Sequence, residues 1–247
     1  MSQGHANDFA FEVARGSRKG MERIVMCGIN ADVDAAEDIW EGGGDVPAFD
    51  GTGYLLEVLS SDADDDGSPV DTGALTIRVE GVDENGDYQE ADVVMNGTNA
   101  VAIPTLLWGF VNRAYVLTAG TSLVNEGTIT VRIASGGATK ALITALHGIS
   151  DGAFYYVPNG YRFILENVNF WSTTSGTTTI GVGRIRAGVF QFQAHVAMTN
   201  AAIQPAMEPM IPYLAGDLVK VRVSAVSAVN QSVGAILRGV LLSDAAV

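Results

Sequence analysis

The sequence predicts an all-β protein: an antiparallel β-sandwich or jelly-roll in two β-rich halves, carried behind an extended N-terminal arm. Three observations lead there. Apolar and polar residues alternate with a period of two through many short runs, turns such as Asn85-Gly86 and Pro158-Asn159-Gly160 separate those runs, and a sustained 3.6-residue period is almost absent. Charge is divided along the chain as well, with −6 on residues 1–50, −9 on 51–150 and +1 on 151–247. Together these place an arm at 1–26, an acidic β domain at 27–147 and a second β domain at 148–247.

Residues 1–22 are small and polar without a sustained period, and are expected to form an arm that docks on a neighbour, with the basic cluster Arg15, Arg18 and Lys19 as its contact. Arg23–Ile29 is an apolar run fit for a strand, and Asn30–Asp38 is an Asp-rich turn with room for a brief helical turn at Asp34–Asp38. Ile39 and Trp40 then meet Gly42-Gly43-Gly44, so Trp40 is expected to anchor a loop onto its own domain or onto a neighbouring subunit.

From Tyr54 the period is two. Leu56, Val58 and Ser60 share one strand face, and Leu75, Ile77 and Val79 share another. Asp83–Asp87 carries the Asn-Gly pair of a tight hairpin, from which Tyr88–Met95 returns with Val93 and Met95 inward. Phe110–Thr118, Thr128–Ala134 and Lys140–Leu146 continue the series. After Gly148, strands are expected at Phe154–Val157, Tyr161–Phe170, Thr177–Ile185, Val189–Val196, Leu218–Val226 and Ser232–Leu242.

Composition narrows the functional classes. With 47% apolar residues in 247, the chain can bury a real core. No apolar run reaches the roughly 18 residues that cross a bilayer, and the N-terminus lacks a signal-peptide apolar stretch, so a soluble protein of the cytosol is expected, with no membrane partner. A net charge of −14 opposes nucleic-acid binding, which needs clustered Lys and Arg. Cys27 is the single cysteine, beside Met26 and Ile29, and reads as a small apolar residue; no disulfide framework exists. His5, His147 and His195 are far apart in sequence and none forms a metal-binding pair motif, which argues against zinc.

Asp62, Asp64 and Asp66 followed by Gly67 match the start of a calcium loop, but position 12 is Gly73 rather than a carboxylate. A solvated acidic turn is the favoured reading, with weak Ca2+ binding as its alternative; no other cofactor is expected. Neither a zincin helix, a phosphate-binding loop nor a nucleophile elbow is recognised, so the expectation is a protein that is not an enzyme.

Several segments in order resemble virion structural proteins of tailed bacteriophages. They are Glu37-Asp38-Ile39-Trp40-Glu41-Gly42-Gly43-Gly44, the strand ending Val58-Leu59-Ser60-Ser61 with its acidic loop, Thr72–Asp83, Val93–Thr98 and Arg113–Gly120. The resemblance implies a β-rich, disulfide-free accessory protein, commonly trimeric, that is assembled in the host cytoplasm and resides in the virion. Its partners would be further copies of itself and the major capsid protein or tail components. A capsid decoration or head-fibre role is the first expectation. A tail or fibre-adaptor role, and a carbohydrate-binding β-sandwich for host adhesion, are the alternatives.

Overall fold

A computed structural model describes residues 8–68, 70, 72–104, 106–173, 175–205 and 211–246. In chain order its elements are a short helix α1 (Asp8–Ala14) and strands β1 (Met21–Val33), β2 (Leu56–Ser60), β3 (Ala74–Val82), β4 (Tyr88–Val94), β5 (Val101–Ala102), β6 (Phe110–Ala119), β7 (Ile129–Ile133) and β8 (Thr139–Ile143). There follow β9 (Phe154–Tyr156), β10 (Tyr161–Ser172), β11 (Thr177–Arg186), β12 (Val189–Thr199), β13 (Ala202–Ile203), β14 (Ile211–Leu214), β15 (Leu218–Val226) and β16 (Gln231–Ser243), and a closing single-turn helix at Asp244–Ala246.

Every paired strand is antiparallel, and the strands form four sheets. The first runs β1-β16-β10-β13, with β14 also on β10; the second runs β12-β11-β15-β9; the third runs β5-β2-β7-β8; the fourth runs β4-β3-β6. The all-β antiparallel class is as expected.

The layout of the chain over those sheets departs from the expected boundaries. β1 pairs with β16 from Met21↔Leu242 to Val33↔Gln231, so the boundary placed at 26/27 falls inside a strand. This strand belongs to the sheet of the C-terminal residues, while residues 54–149 supply the third and fourth sheets and their bridges.

Two further differences have local causes. The segment expected as a turn at Asn30–Asp38 remains strand to Val33, because Val33 is fully buried and a bulge between Asn30 and Val33 absorbs the irregularity. Part of the expected extended arm, Asp8–Ala14, is helical and buries Val13. Residues 1–7, with His5, lie outside the described residues.

Apolar burial follows the sheets. One cluster takes Ile24, Phe163, Leu165 and Leu237 from the first sheet and Ile180 and Val221 from the second. Another takes Leu56, Val58 and Val131 from the third sheet and Ile77, Val79 and Val111 from the fourth. A third joins the two halves: Val82 and Phe110 of the fourth sheet meet Phe154, Tyr156 and Leu218 of the second, with Trp40 and Val46 from the loop after β1. The rings of Phe110 and Phe154 meet edge to face at 5.7 Å, a favourable geometry for aromatic pairs.

That loop is tied down electrostatically. Fully buried Asp38 accepts from Lys220 Nζ at 2.6 Å, from Arg222 at 3.0 Å and from the Val46 amide at 2.8 Å. A carboxylate taken from water is stable only when its charge is paired or its oxygens are fully hydrogen-bonded.

Candidate functional site

The acidic turn holds the chain rather than gathering its carboxylates. Asp62 Oδ1 accepts from the Asp64 amide at 2.9 Å and Asp66 Oδ1 from the Ser68 amide at 2.7 Å, each capping its own turn. Asp64 faces the Thr72 hydroxyl at 3.4 Å. The central residue, Asp65, is fully buried and accepts from Ala74 N, Ser60 Oγ, Glu126 N and Gly127 N. Asp62, Asp64 and Asp66 are therefore spread along the turn. Among the described residues the set of three or more possible metal ligands whose donor atoms all lie within 4.8 Å is a different one.

Of the residues expected at an interface, Arg15, Arg18 and Lys19 are exposed beside α1. Arg18 Nε bonds Glu12 at 2.6 Å, and Arg15 donates to Ser17 at 2.7 Å while its guanidinium lies 5.4 Å from the Phe11 ring centroid. Trp40 is placed otherwise. At 6% exposure it bridges to Gly152 and packs between the two halves, its indole N–H donating to Gly44 O at 3.3 Å. Of the two anchoring roles expected for it, it takes the one within its own chain.

Trp40 also delivers the next residue to a cluster the sequence did not disclose. The Glu41 amide donates to Asp151 O at 3.1 Å, which sets the Glu41 side chain beside the loop between β8 and β9. There His147 Nδ1 lies 2.6 Å from Asp151 Oδ2, and donor atoms of Glu41, His147 and Asp151 lie within 4.8 Å of one another. Glu41 Oε2 is buried and has no hydrogen-bond partner. Burial pushes the Glu41 carboxyl above its ordinary range and the Asp151 charge pushes the same way, outweighing the pull of His147 and the Thr144 amide. Burial, then the same Asp151 charge, also holds the nearby Cys27 thiol up.

The loop carrying His147 is held from beneath. Buried Asn125 donates to Thr144 O at 2.8 Å and Gly127 O at 2.6 Å, and it accepts from the Gly148 amide at 2.9 Å. The Leu146 amide donates to Asn125 O at 3.0 Å. Leu146 and Gly148, on either side of His147, have φ of 68° and 71°. A leucine in that region is strained, and the surroundings must enforce it. His147 also lines an open cleft of about 610 Å³ with Arg113, Tyr115, Leu123 and Ile149; Leu123 too has a positive φ, 63°. Gly148-Ile149-Ser150-Asp151-Gly152 matches the spacing of a nucleophile elbow, yet no helix follows it, and Ser150 Oγ accepts from the Ala114 amide at 2.9 Å.

A signal for the cluster was present in His147 and Asp151, four residues apart in a glycine-bounded loop. The third member, Glu41, comes from a distant segment and only the fold brings it in.

No protein-family profile matches the chain, and no curated protein does. Among solved structures, an isomalto-dextranase of Arthrobacter globiformis complexed with panose is similar over 91% of this chain, at 10% identity and a TM-score of 0.24; the chain spans about a third, 35%, of that enzyme. The VP2 subviral particle protein of infectious bursal disease virus is similar over 92% of this chain and 73% of its own, at 11% identity and a TM-score of 0.19.

Proposed function

We propose that the chain is a non-enzymatic structural component of a tailed-phage virion, a capsid decoration or head-fibre protein that assembles as a homotrimer and docks on the major capsid protein. In this reading the four sheets are two β-sandwiches, the second inserted into the first between β1 and β9, giving a rigid two-part block. It is assembled in the host cytoplasm and resides in the particle.

The observation that carries the reading is the edge of β12. Over 11 residues, VFQFQAHVAMT, β12 contains no Lys, Arg, Asp, Glu or Pro, and among the described residues it pairs only with β11. Val189 and Phe192 on it are exposed. A long uncharged edge with exposed apolar side chains is a template for another strand, and proteins that remain single normally block such edges. By contrast, β4 at the edge of the fourth sheet carries Glu90 and Asp92. A second copy of the chain is the natural partner for β12; where β12 meets a different surface of its neighbour the contact is heterologous and closes three-fold as a trimer, whereas β12 against β12 would close as a dimer.

The test is native mass, alone and with DNA-filled capsids. A trimer that co-sediments with capsids is expected, and Phe192→Lys should leave a folded monomer. A wild-type monomer at tens of micromolar would refute the assembly. A trimer that ignores capsids would move the protein to the tail or a fibre adaptor. Removal of the arm must stop at residue 20, since Met21 and Glu22 pair with Leu242 and Leu241.

A further inference from the structure

Glu41, His147 and Asp151 are held together by a scaffold that does not neutralise them. Among the described residues no Lys or Arg forms an ion pair with Glu41 or Asp151, and the group beside both is the His147 imidazole. The fully buried carboxylates are handled differently: Asp38 has Lys220 and Arg222, Asp217 has Arg184 and Arg186, and Asp65 has three backbone amides and the Ser60 hydroxyl. Glu41 Oε2 is left buried without a hydrogen-bond partner, a state that favours whatever can bind there. The surrounding chain nonetheless fixes the loop through Asn125 and the left-handed turns at Leu146 and Gly148.

We propose that Glu41, His147 and Asp151 form a three-ligand site for a divalent transition cation of the Zn2+ type. One imidazole and two carboxylates are a borderline donor set, suited to such an ion rather than to Ca2+, which takes six to eight oxygens. Zinc bonds of about 2.0–2.2 Å set tetrahedral donor atoms roughly 3.3 Å apart. That spacing lies within the 4.8 Å span of the cluster, and His147 Nδ1 and Asp151 Oδ2, now 2.6 Å apart, would separate by less than an ångström. The cation would meet the orphaned Glu41 oxygen and offset the repulsion between the two carboxylates. His147, 45% exposed and shared with the cleft, gives it a route in from solvent. Because Glu41 lies in the loop after β1 and the other two ligands at the exit from β8, the ion would also cross-link the two halves of the molecule beside Trp40.

The experiment is titration of the full chain with ZnCl2 after EDTA treatment, followed by calorimetry and by thermal melting. One equivalent of Zn2+ per chain with a raised melting temperature is expected, and His147→Ala and Glu41→Gln should each weaken binding more than about 100-fold, beyond what loss of a supporting hydrogen bond costs. Asp62→Asn with Asp64→Asn should bind like the wild type. Glu41→Gln is nearly isosteric and guards against a His147→Ala chain that fails to fold. No stoichiometric binding, or binding retained in Glu41→Gln, overturns the site. Binding lost in the Asp62/Asp64 variant instead would place the ion at the acidic turn and overturn it equally.

Discussion

Replacing Asp65 with Asn alters one atom and tests whether the acidic turn is a structural staple. Its Oδ1 accepts from the amides of Ala74 at 2.6 Å and Glu126 at 2.9 Å, and its Oδ2 from Ser60 Oγ at 2.5 Å and the Gly127 amide at 2.9 Å. An Asn side chain keeps one acceptor and puts an NH2 donor in place of the other. The Ser60 hydroxyl can rotate to accept from it, but at least one backbone N–H then faces a donor in a site without exposed surface. An unpaired buried donor costs about 1–3 kcal/mol, and the remaining bonds lose their charge assistance, so the total comes to about 3–4 kcal/mol. With a urea slope of about 2 kcal/mol/M, the midpoint should fall by roughly 1.5–2 M. Equilibrium urea unfolding read by tryptophan fluorescence measures this, because Trp108 lies in the apolar cluster this turn borders. A fall of less than about 0.5 M with an unchanged slope would refute the reasoning.

Asp38→Ala leaves Lys220 buried without its partner and should cost about 3–5 kcal/mol; a loss below about 1 kcal/mol in the same assay would contradict it. Gly28→Ala would press a methyl group into the backbone at Ala153 and Ile39, which cannot retreat, so melting should drop by an amount equivalent to about 1–3 kcal/mol; an unchanged melting temperature would count against that packing. Millimolar Ca2+ should not shift melting, because Asp62, Asp64 and Asp66 are engaged along their own turn; a clear rise would restore the calcium reading. Asp92 accepts two hydrogen bonds from Arg78, at 2.6 and 2.8 Å, which hold its carboxyl below the ordinary range. The folded value being the lower, this stability is full above about pH 4 and fades as pH falls through the folded value. Asp92→Asn should therefore flatten the acid limb of a melting-temperature profile slightly, the pair being exposed; a profile parallel to the wild type would show that the pair contributes nothing.

How much of this was legible depended on range along the chain. The hairpin of β3 and β4 was readable because its information is local: Gly86 takes φ of 89° and Val93 and Met95 are buried, as the alternation implied. Most later strands were found within a few residues for the same reason. Leu75 was misplaced because irregular pairing of β3 with β6 around Ala74 and Thr76 turns Ala74 inward instead. β5 and β13 have only two residues each and carry no period to detect. The partnership of β1 with β16 was invisible, since any apolar strand can pair with any other until the core selects. The candidate site failed on the same ground: Glu41 among acidic turn residues looks like its neighbours until Trp40 is seated.

The place of β16 between β1 and β10 sets an order of events during synthesis. β16 leaves the ribosome after every other strand of the described chain, yet it is the centre of the first sheet, paired along Met21–Val33 on one side and Tyr161–Ser172 on the other. Until it emerges, β1 has no neighbour in that sheet and must wait with its apolar face uncovered. Residues 54–149 depend on nothing that comes later for their own two sheets, so they can fold while translation continues. Closing β1 against β16 then joins strands about 200 residues apart in sequence, a slow step by contact order, and its completion reports that every strand from β1 to β16 has been made.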